Sequence, residues 1–378
     1  MTGRHQYEAL LAALGVCVAA RVPFLMWGAP GEGKTAVVES AARDGWHVET
    51  LIVSHHEPSD FAGLPIVAKD GSVTLAPPAW ARRLAEHDGP SIAFFDEWTT
   101  AAPAVQAAAL RPLTHFEVGA LRLPRSVSFG AAANPTDVAT AGWELSAPPA
   151  NRFCHLDWSM PVDVYAESLV AGTWPALTLP TGLAGDAAVE AEIARARALV
   201  AGFVRVRQRL SSVPTDASSR GRAFPTPRTW DYAARLLGTA RAGRAGVEVR
   251  RLLVAGAVGD AAAHEFLVWV DAQQLPDPED VLADPSRETF RGMRADRVFV
   301  ALQAVASVVL ADPTPQRWSA AVEACAAAAD EVGVDPAVPT VRALLQPGVR
   351  PAGAALPAGI MTFRGALALA GLLDSPAA

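Results

Sequence analysis

The chain has 378 residues, 51% apolar and 19% charged, with a formal net charge of −7 and a pI near 5.6. Its length exceeds the usual single domain and predicts two or three, and its apolar fraction excludes a chain held unfolded by its own charge. The acidic balance argues against a general nucleic-acid coat, although a ring can enclose a basic channel within an acidic exterior. No apolar run reaches the ~18 residues of a membrane span, and the opening residues Arg4, His5, Gln6 and Glu8 are not a basic segment leading into an apolar one. A cytoplasmic protein with no membrane span is therefore expected. Cys17, Cys154 and Cys325 lie far apart, match no metal-ligand spacing and read as buried thiols of a reducing compartment.

In chain order, the spacing predicts a helix over about residues 6–20, then a short apolar run at 24–27 that stops at glycine and reads as a buried parallel strand. Further strands are predicted at 48–53, 92–95, 127–133 and 153–158, separated by helical stretches such as 36–43 and 104–115. Strands alternating with helices predict a parallel sheet covered on both faces. Two interruptions, 65–77 around Asp70-Gly71 and 116–124 around Gly119, read as β-hairpins projecting from that domain. After Pro161 the strand signal fades, and 172–185 is a Pro/Gly-bearing connection of the kind found at domain boundaries. Helices are predicted beyond it at 188–210, 229–240, 247–258, 261–272, 295–310, 315–332 and 357–373.

Gly28-Ala29-Pro30-Gly31-Glu32-Gly33-Lys34-Thr35 matches G-x-x-x-x-G-K-[ST] and lies between an apolar strand and a helix, where a phosphate-cradling loop must lie. Glycines let the backbone turn its N–H groups inward, and a helix N-terminus adds a dipole that favours anions. Lys34 is expected to reach the β- and γ-phosphates of ATP, and Thr35 to ligate Mg²⁺. Only Lys34 and Lys69 are lysine among the 32 basic residues, so a chance match is rarer still. The strand 91–95 ends in Asp96-Glu97, the pattern of a Walker B segment. Asp96 would hold Mg²⁺ through its water shell and Glu97 would polarise the attacking water as general base. A nucleoside kinase or small GTPase has no need of that second acid, which favours an ATPase.

The strand 127–133 ends in Asn134-Pro135, and with it the sequence resembles AAA+ ATPases, which carry a polar sensor residue at this place. The resemblance covers about residues 22–237. The hairpin positions and the segments Asp60-Phe61-Ala62-Gly63-Leu64-Pro65 and Ala76-Pro77-Pro78-Ala79-Trp80 are similar to the MoxR-like, helix-2-insert subgroup. It implies an α/β fold, a parallel-sheet P-loop core with an all-helical lid and additional C-terminal helices, divided at about 1–180, 187–260 and 261–378. It implies that Asn134 orients water and γ-phosphate with Glu97, that Arg152 is an arginine finger supplied to a neighbouring subunit, and that Arg228 is the second sensor. It also implies a homo-oligomeric, hexameric ring acting on a protein client, with a von Willebrand factor A domain partner. The residue that in many relatives restrains the catalytic Glu is best matched by Ser54 or His55. A nucleic-acid motor or restriction-type subunit is the alternative, with Arg122 and Arg125 as its support, and a slow ATP-gated switch or scaffold is a third reading. His55-His56-Glu57 is discounted as a metal site because adjacent side chains of an extended segment point apart.

Overall fold

The computed structural model describes residues 3–135, 142–179, 186–214, 220–273, 275–346 and 348–368. Two compact units emerge, Met1–Ala184 with Leu210–His264, and Gly185–Arg209 with Glu265–Ala378. The connection expected at 172–185 runs at 180–185 outside the described residues, as does the end of the helix expected at 357–373.

The first unit begins with α1 (Gly3–Ala20), β1 (Phe24–Trp27), α2 (Lys34–Glu39), β2 (His47–Ile52), α3 (Ser59–Ala62), β3 (Leu64–Val67) and β4 (Val73–Ala76). It continues with α4 (Ala79–Glu86), β5 (Ser91–Asp96), α5 (Pro103–His115), β6 (Glu117–Val118), β7 (Leu121–Arg122) and β8 (Val127–Ala133). The remaining elements are α6 (Ala147–Ala150), β9 (Cys154–Asp157), α7 (Val162–Ala171) and, after the return of the chain, α8 (Pro227–Ala242) and α9 (Val247–Val258). Five strands form one sheet in the order β2-β5-β8-β1-β9, with every pairing parallel. All of β1 and β8 is buried, and β5 is buried up to its last residue. Continuous apolar runs are what strands covered on both faces require. Each of the five strands predicted from the sequence has its counterpart within a residue or two, and both hairpins form, β3 with β4 and β6 with β7.

One face of the sheet packs an aromatic core in which Phe95 meets Phe61, Trp80, Trp98 and Phe129, and Trp98 meets Phe153 edge-on at 5.2 Å. Removing one such fully buried ring costs on the order of 3–5 kcal/mol. The tryptophans Trp27, Trp80 and Trp158 are buried as well. The hairpins touch each other: Ala120 N donates to Leu75 O at 2.9 Å, and a Cβ at Gly119, whose φ is +59°, would sit 2.6 Å from that same carbonyl. Only glycine accepts both the left-handed backbone and the approach. Helix α7, which the sequence reading passed over, carries Val162, Leu169 and Val170 on exposed positions, so its apolar residues do not line one buried stripe.

The second unit is helical. It comprises α10 (Ala187–Val206), the end of α11 (Asp260–Asp271), α12 (Pro278–Ala283), α13 (Ala295–Ala311), α14 (Pro315–Val332), α15 (Val338–Leu344) and α16 (Arg364–Ala368). Its core gathers Trp318, Phe290, Phe363 and the Val and Ala faces of α13 and α14. Trp318 Nε1 donates to Leu344 O at 2.9 Å, satisfying the polar atom of a fully buried ring. The helix at 187–206, expected in the lid, belongs to this unit, whereas α8 and α9 belong to the first. Among the described residues no helix is long and apolar enough to cross a membrane.

Candidate functional site

In a parallel sheet the carboxyl ends of the strands all lie along one edge, so the loops after β1, β5 and β8 converge there. The loop after β1 is Gly28–Thr35. Gly31 and Gly33 have φ of +81° and +76°, and a Cβ at Gly28 would lie 2.7 Å from Trp158 O, so side chains are excluded where the loop turns and where it meets β9. Ala29 N donates to Glu32 Oε2 at 3.2 Å across the loop. Lys34 is buried and its ammonium donates to Gly28 O at 2.7 Å, Ala29 O at 2.8 Å and Asn134 Oδ1 at 3.1 Å. Burial lowers the Lys34 pKa, against the pull of the Asp96 and Glu32 carboxylates. Three oxygen acceptors account for all three of its N–H donors.

Thr35 Oγ1 donates to Asp96 Oδ2 at 2.5 Å, joining the loop to the end of β5. Hydroxyl and carboxylate together are the hard oxygen donors that Mg²⁺ takes, so these residues fit that ion. Glu97 has φ +54° and ψ +40°, a left-handed conformation that costs a non-glycine residue of order 1–3 kcal/mol. Its N–H donates to Asp96 Oδ1 at 2.8 Å, and Ser54 Oγ donates to its Oε2 at 2.5 Å. Of the two residues weighed for restraining Glu97, Ser54 makes the contact; His55 is exposed. Asn134 follows β8, and β8 lies between β1 and β5. The structure thus brings Gly28–Thr35, Asp96, Glu97 and Asn134 to one edge.

Arg152 and Arg228 lie elsewhere. Arg152 precedes β9, whose first residue Cys154 pairs with Phe24, the first of β1, so Arg152 enters at the strand end opposite the loop. A four-residue strand at about 3.3 Å per residue separates those ends by on the order of 10 Å. Arg152 Nη1 donates to Pro148 O at 2.5 Å. Arg228, in the first turn of α8, reaches Asn151 Oδ1 at 3.5 Å. Its helix start is fixed by a capping box between Thr226 and Thr229, with Pro227 following, and Asn151 also bonds Thr226 at 3.0 Å. Burial first, and then the neighbouring Arg228 charge, lower the Arg152 pKa. Among the described residues neither guanidinium has a carboxylate within ion-pair distance.

A buried polar chain escaped sequence reasoning. Trp27 Nε1 donates to His155 Nδ1 at 2.9 Å, and His155 Nε2 lies 2.9 Å from Ala150 O. Indole can only donate and carbonyl can only accept, so the ring is neutral with its proton on Nε2. Burial pushes its pKa down to about 4. Trp27 immediately precedes Gly28 and Ala150 lies two residues before Arg152, so one imidazole spans the two regions. Over Trp27 sits Arg222, 4.2 Å from the ring centroid and paired with Asp157 at 2.7 Å. A lone histidine in a strand pattern carries no sequence signal for such a role.

The exposed side of the first hairpin is apolar, with Leu64, Val67 and Val73 each more than half exposed. Arg125, near the second hairpin, is stacked on Phe116 at 4.5 Å, and Arg122 is exposed. His56 is engaged by Asp60 at 3.0 Å.

No protein-family model matches the sequence, and no curated protein does. Among solved structures, the chain is similar to one described as a "putative ATPase" from Cytophaga hutchinsonii, at 13% identity and a TM-score of 0.40, over 68% of this chain and 84% of that one.

Proposed function

We propose that this chain is a ring-forming, Mg-ATP-hydrolysing AAA+ ATPase of the MoxR-like kind that remodels a partner protein in the cytoplasm. The observation that carries the reading is the meeting of Lys34, the Thr35–Asp96 pair, Glu97 and Asn134 at one sheet edge. Loop amides and Lys34 bind the phosphates. Thr35 and Asp96 would hold Mg²⁺, which when bound would neutralise charge on the phosphate oxygens. Glu97 takes a proton from the attacking water, and Asn134 orients that water and the terminal phosphate. Ser54 keeps Glu97 turned aside until it is released.

Arg152 serves the nucleotide of the adjacent subunit, and Arg228, expected as the second sensor, stands beside it. Two guanidiniums side by side without a carboxylate form an anion-seeking pair, and they lie at the strand end away from their own phosphate loop. A guanidinium supplied in trans stabilises charge on the transferred phosphoryl group and is worth roughly 10³ to 10⁵ in rate. Such an arrangement makes hydrolysis depend on assembly. The apolar outer side of the first hairpin supports a protein client over nucleic acid, because phosphate backbones are bound by cations and not by Leu, Ile and Val.

ATPase assays with partner protein and with DNA, over a salt series, test the client. Stimulation by a von Willebrand factor A domain protein encoded beside this chain is the expected outcome. Stimulation by DNA that weakens steeply with salt would replace remodelling with a nucleic-acid motor.

A further inference from the structure

Arg152 is carried by very little structure. Helix α6 is a single turn containing Pro148 and Pro149, closed by Ala150 N to Ser146 O at 3.1 Å, Asn151 N to Ala147 O at 3.0 Å and Arg152 N to Pro149 O at 2.9 Å. A turn this short has no stability of its own, so the guanidinium is held in place from outside it. Two ties do so. Asn151 bonds Thr226 at the cap of α8, and Ala150, fully buried, presents its carbonyl to His155 Nε2 at 2.9 Å.

The second tie leads toward the phosphate loop. His155 stands in β9, in register with Leu25 of β1, and its Nδ1 accepts from Trp27 Nε1 at 2.9 Å, the two ring planes being 12° apart. Trp27 is the last residue of β1, and the loop begins at the next residue. The face of the indole is covered by Arg222 at 4.2 Å, itself paired with Asp157 at 2.7 Å. Only a group that accepts on one side and donates on the other fits between an indole and a carbonyl, and a neutral imidazole does both. Trp27, His155 and Ala150 are all buried, so losing the ring leaves two polar atoms unmatched in the interior.

We infer that His155 is a positioning residue for the arginine that one subunit offers to the next. Through Ala150 it sets where Arg152 stands, and through Trp27 it refers that placement to the strand carrying the subunit's own phosphate loop. This rests on the reading of Arg152 given above. The imidazole touches no nucleotide and moves no proton in the reaction; it acts through the backbone of α6. Its effect is directional. Disturbing His155 slows hydrolysis chiefly in the neighbour that receives Arg152, because stabilisation of a transition state falls steeply when a charged group is misplaced.

Turnover in mixtures of Arg152→Ala and Lys34→Ala subunits reads this direction, since only the first has a working loop and only the second a working arginine. His155→Leu, which can neither accept nor donate, should lower turnover about tenfold when the Lys34→Ala subunit carries it and at most about twofold when the Arg152→Ala subunit does, the larger loss being roughly that of one hydrogen bond. His155→Gln in the Lys34→Ala subunit, with an amide that can accept from Trp27 and donate to Ala150, should keep turnover within about threefold of the unsubstituted mixture. Trp27→Phe in that subunit removes the indole donor and should lower turnover about fivefold; it decides the matter if His155→Leu does not fold. Equal losses whichever subunit carries His155→Leu would overturn the positioning role and leave a packing role. Turnover within about twofold of the unsubstituted mixture, for His155→Leu or Trp27→Phe in the Lys34→Ala subunit, would overturn it as well. An unsubstituted mixture without turnover would remove the action of Arg152 on a neighbour, and this role with it.

Discussion

The two ends of the central sheet treat charge in opposite ways. At the carboxyl ends of the strands, Lys34 is matched by three oxygens and Thr35 by Asp96, so the parts of the site are paired within one chain. At the amino end of β9, Arg152 and Arg228 stand beside each other, Arg152 bonded to a backbone carbonyl and Arg228 to a side-chain amide oxygen. The first region is paired within the chain, whereas among the described residues the second has no carboxylate partner. Like charges brought together cost energy, and a fold retains them where an anion offsets that cost.

The largest test of this contrast is Arg152→Ala. It should bind ATP normally and hydrolyse it on the order of 10³-fold more slowly, and mixing it with Lys34→Ala subunits should restore some turnover at mixed interfaces. No recovery at any mixing ratio would place the arginine's action within its own subunit. Glu97→Gln comes next, with ATP retained and hydrolysis reduced by about 10²-fold or more; hydrolysis equal to wild type would remove Glu97 as the base. Lys34→Ala should weaken nucleotide binding by roughly 10- to 150-fold, the worth of a charge-assisted hydrogen bond, as read by titration calorimetry.

A smaller effect is expected where the first region restrains itself. Ser54→Ala frees Glu97 from its 2.5 Å bond, and basal hydrolysis should rise about fivefold, near 1 kcal/mol. Unchanged basal turnover would mean that the serine does not hold the base back.

The bridge between the two regions can be tested by pH. His155 has its pKa lowered to about 4, against about 6.5 unfolded, so the unfolded chain binds more protons between those values. Stability from this group is therefore complete above pH 6.5 and declines as pH falls toward 4, by on the order of 3 kcal/mol. Denaturant melts of wild type and His155→Gln across that window should differ in slope, with the variant flatter. Parallel profiles would show that the ring is not held neutral.

The sheet was readable because its signals are local. Phe24–Trp27 is apolar without interruption and Val127–Ala133 is interrupted in its apolar run by Ser128, which suits strands covered on both faces, and the glycines and lysine of the loop stand at fixed spacing. The hairpins were readable from Asp70-Gly71 and Gly119, because turn chemistry is local too. Helix α7 was missed because its apolar residues do not mark out one buried face. The choice of Ser54 over His55 was not readable, since neighbours in sequence differ only in where the backbone turns them.

Sequence by itself determined the order of strands and helices, the phosphate-loop motif and the two acids at the end of β5, because each depends on residues adjacent in the chain. Tertiary structure alone decided that Arg228 stands beside Arg152, that His155 joins Trp27 to Ala150, and that residues 185–209 group with 265–378. The Arg228–Asn151 and Trp27–His155 contacts close loops of 77 and 128 residues. Which distant groups meet is settled by how whole faces pack, and not by any pattern within a single segment.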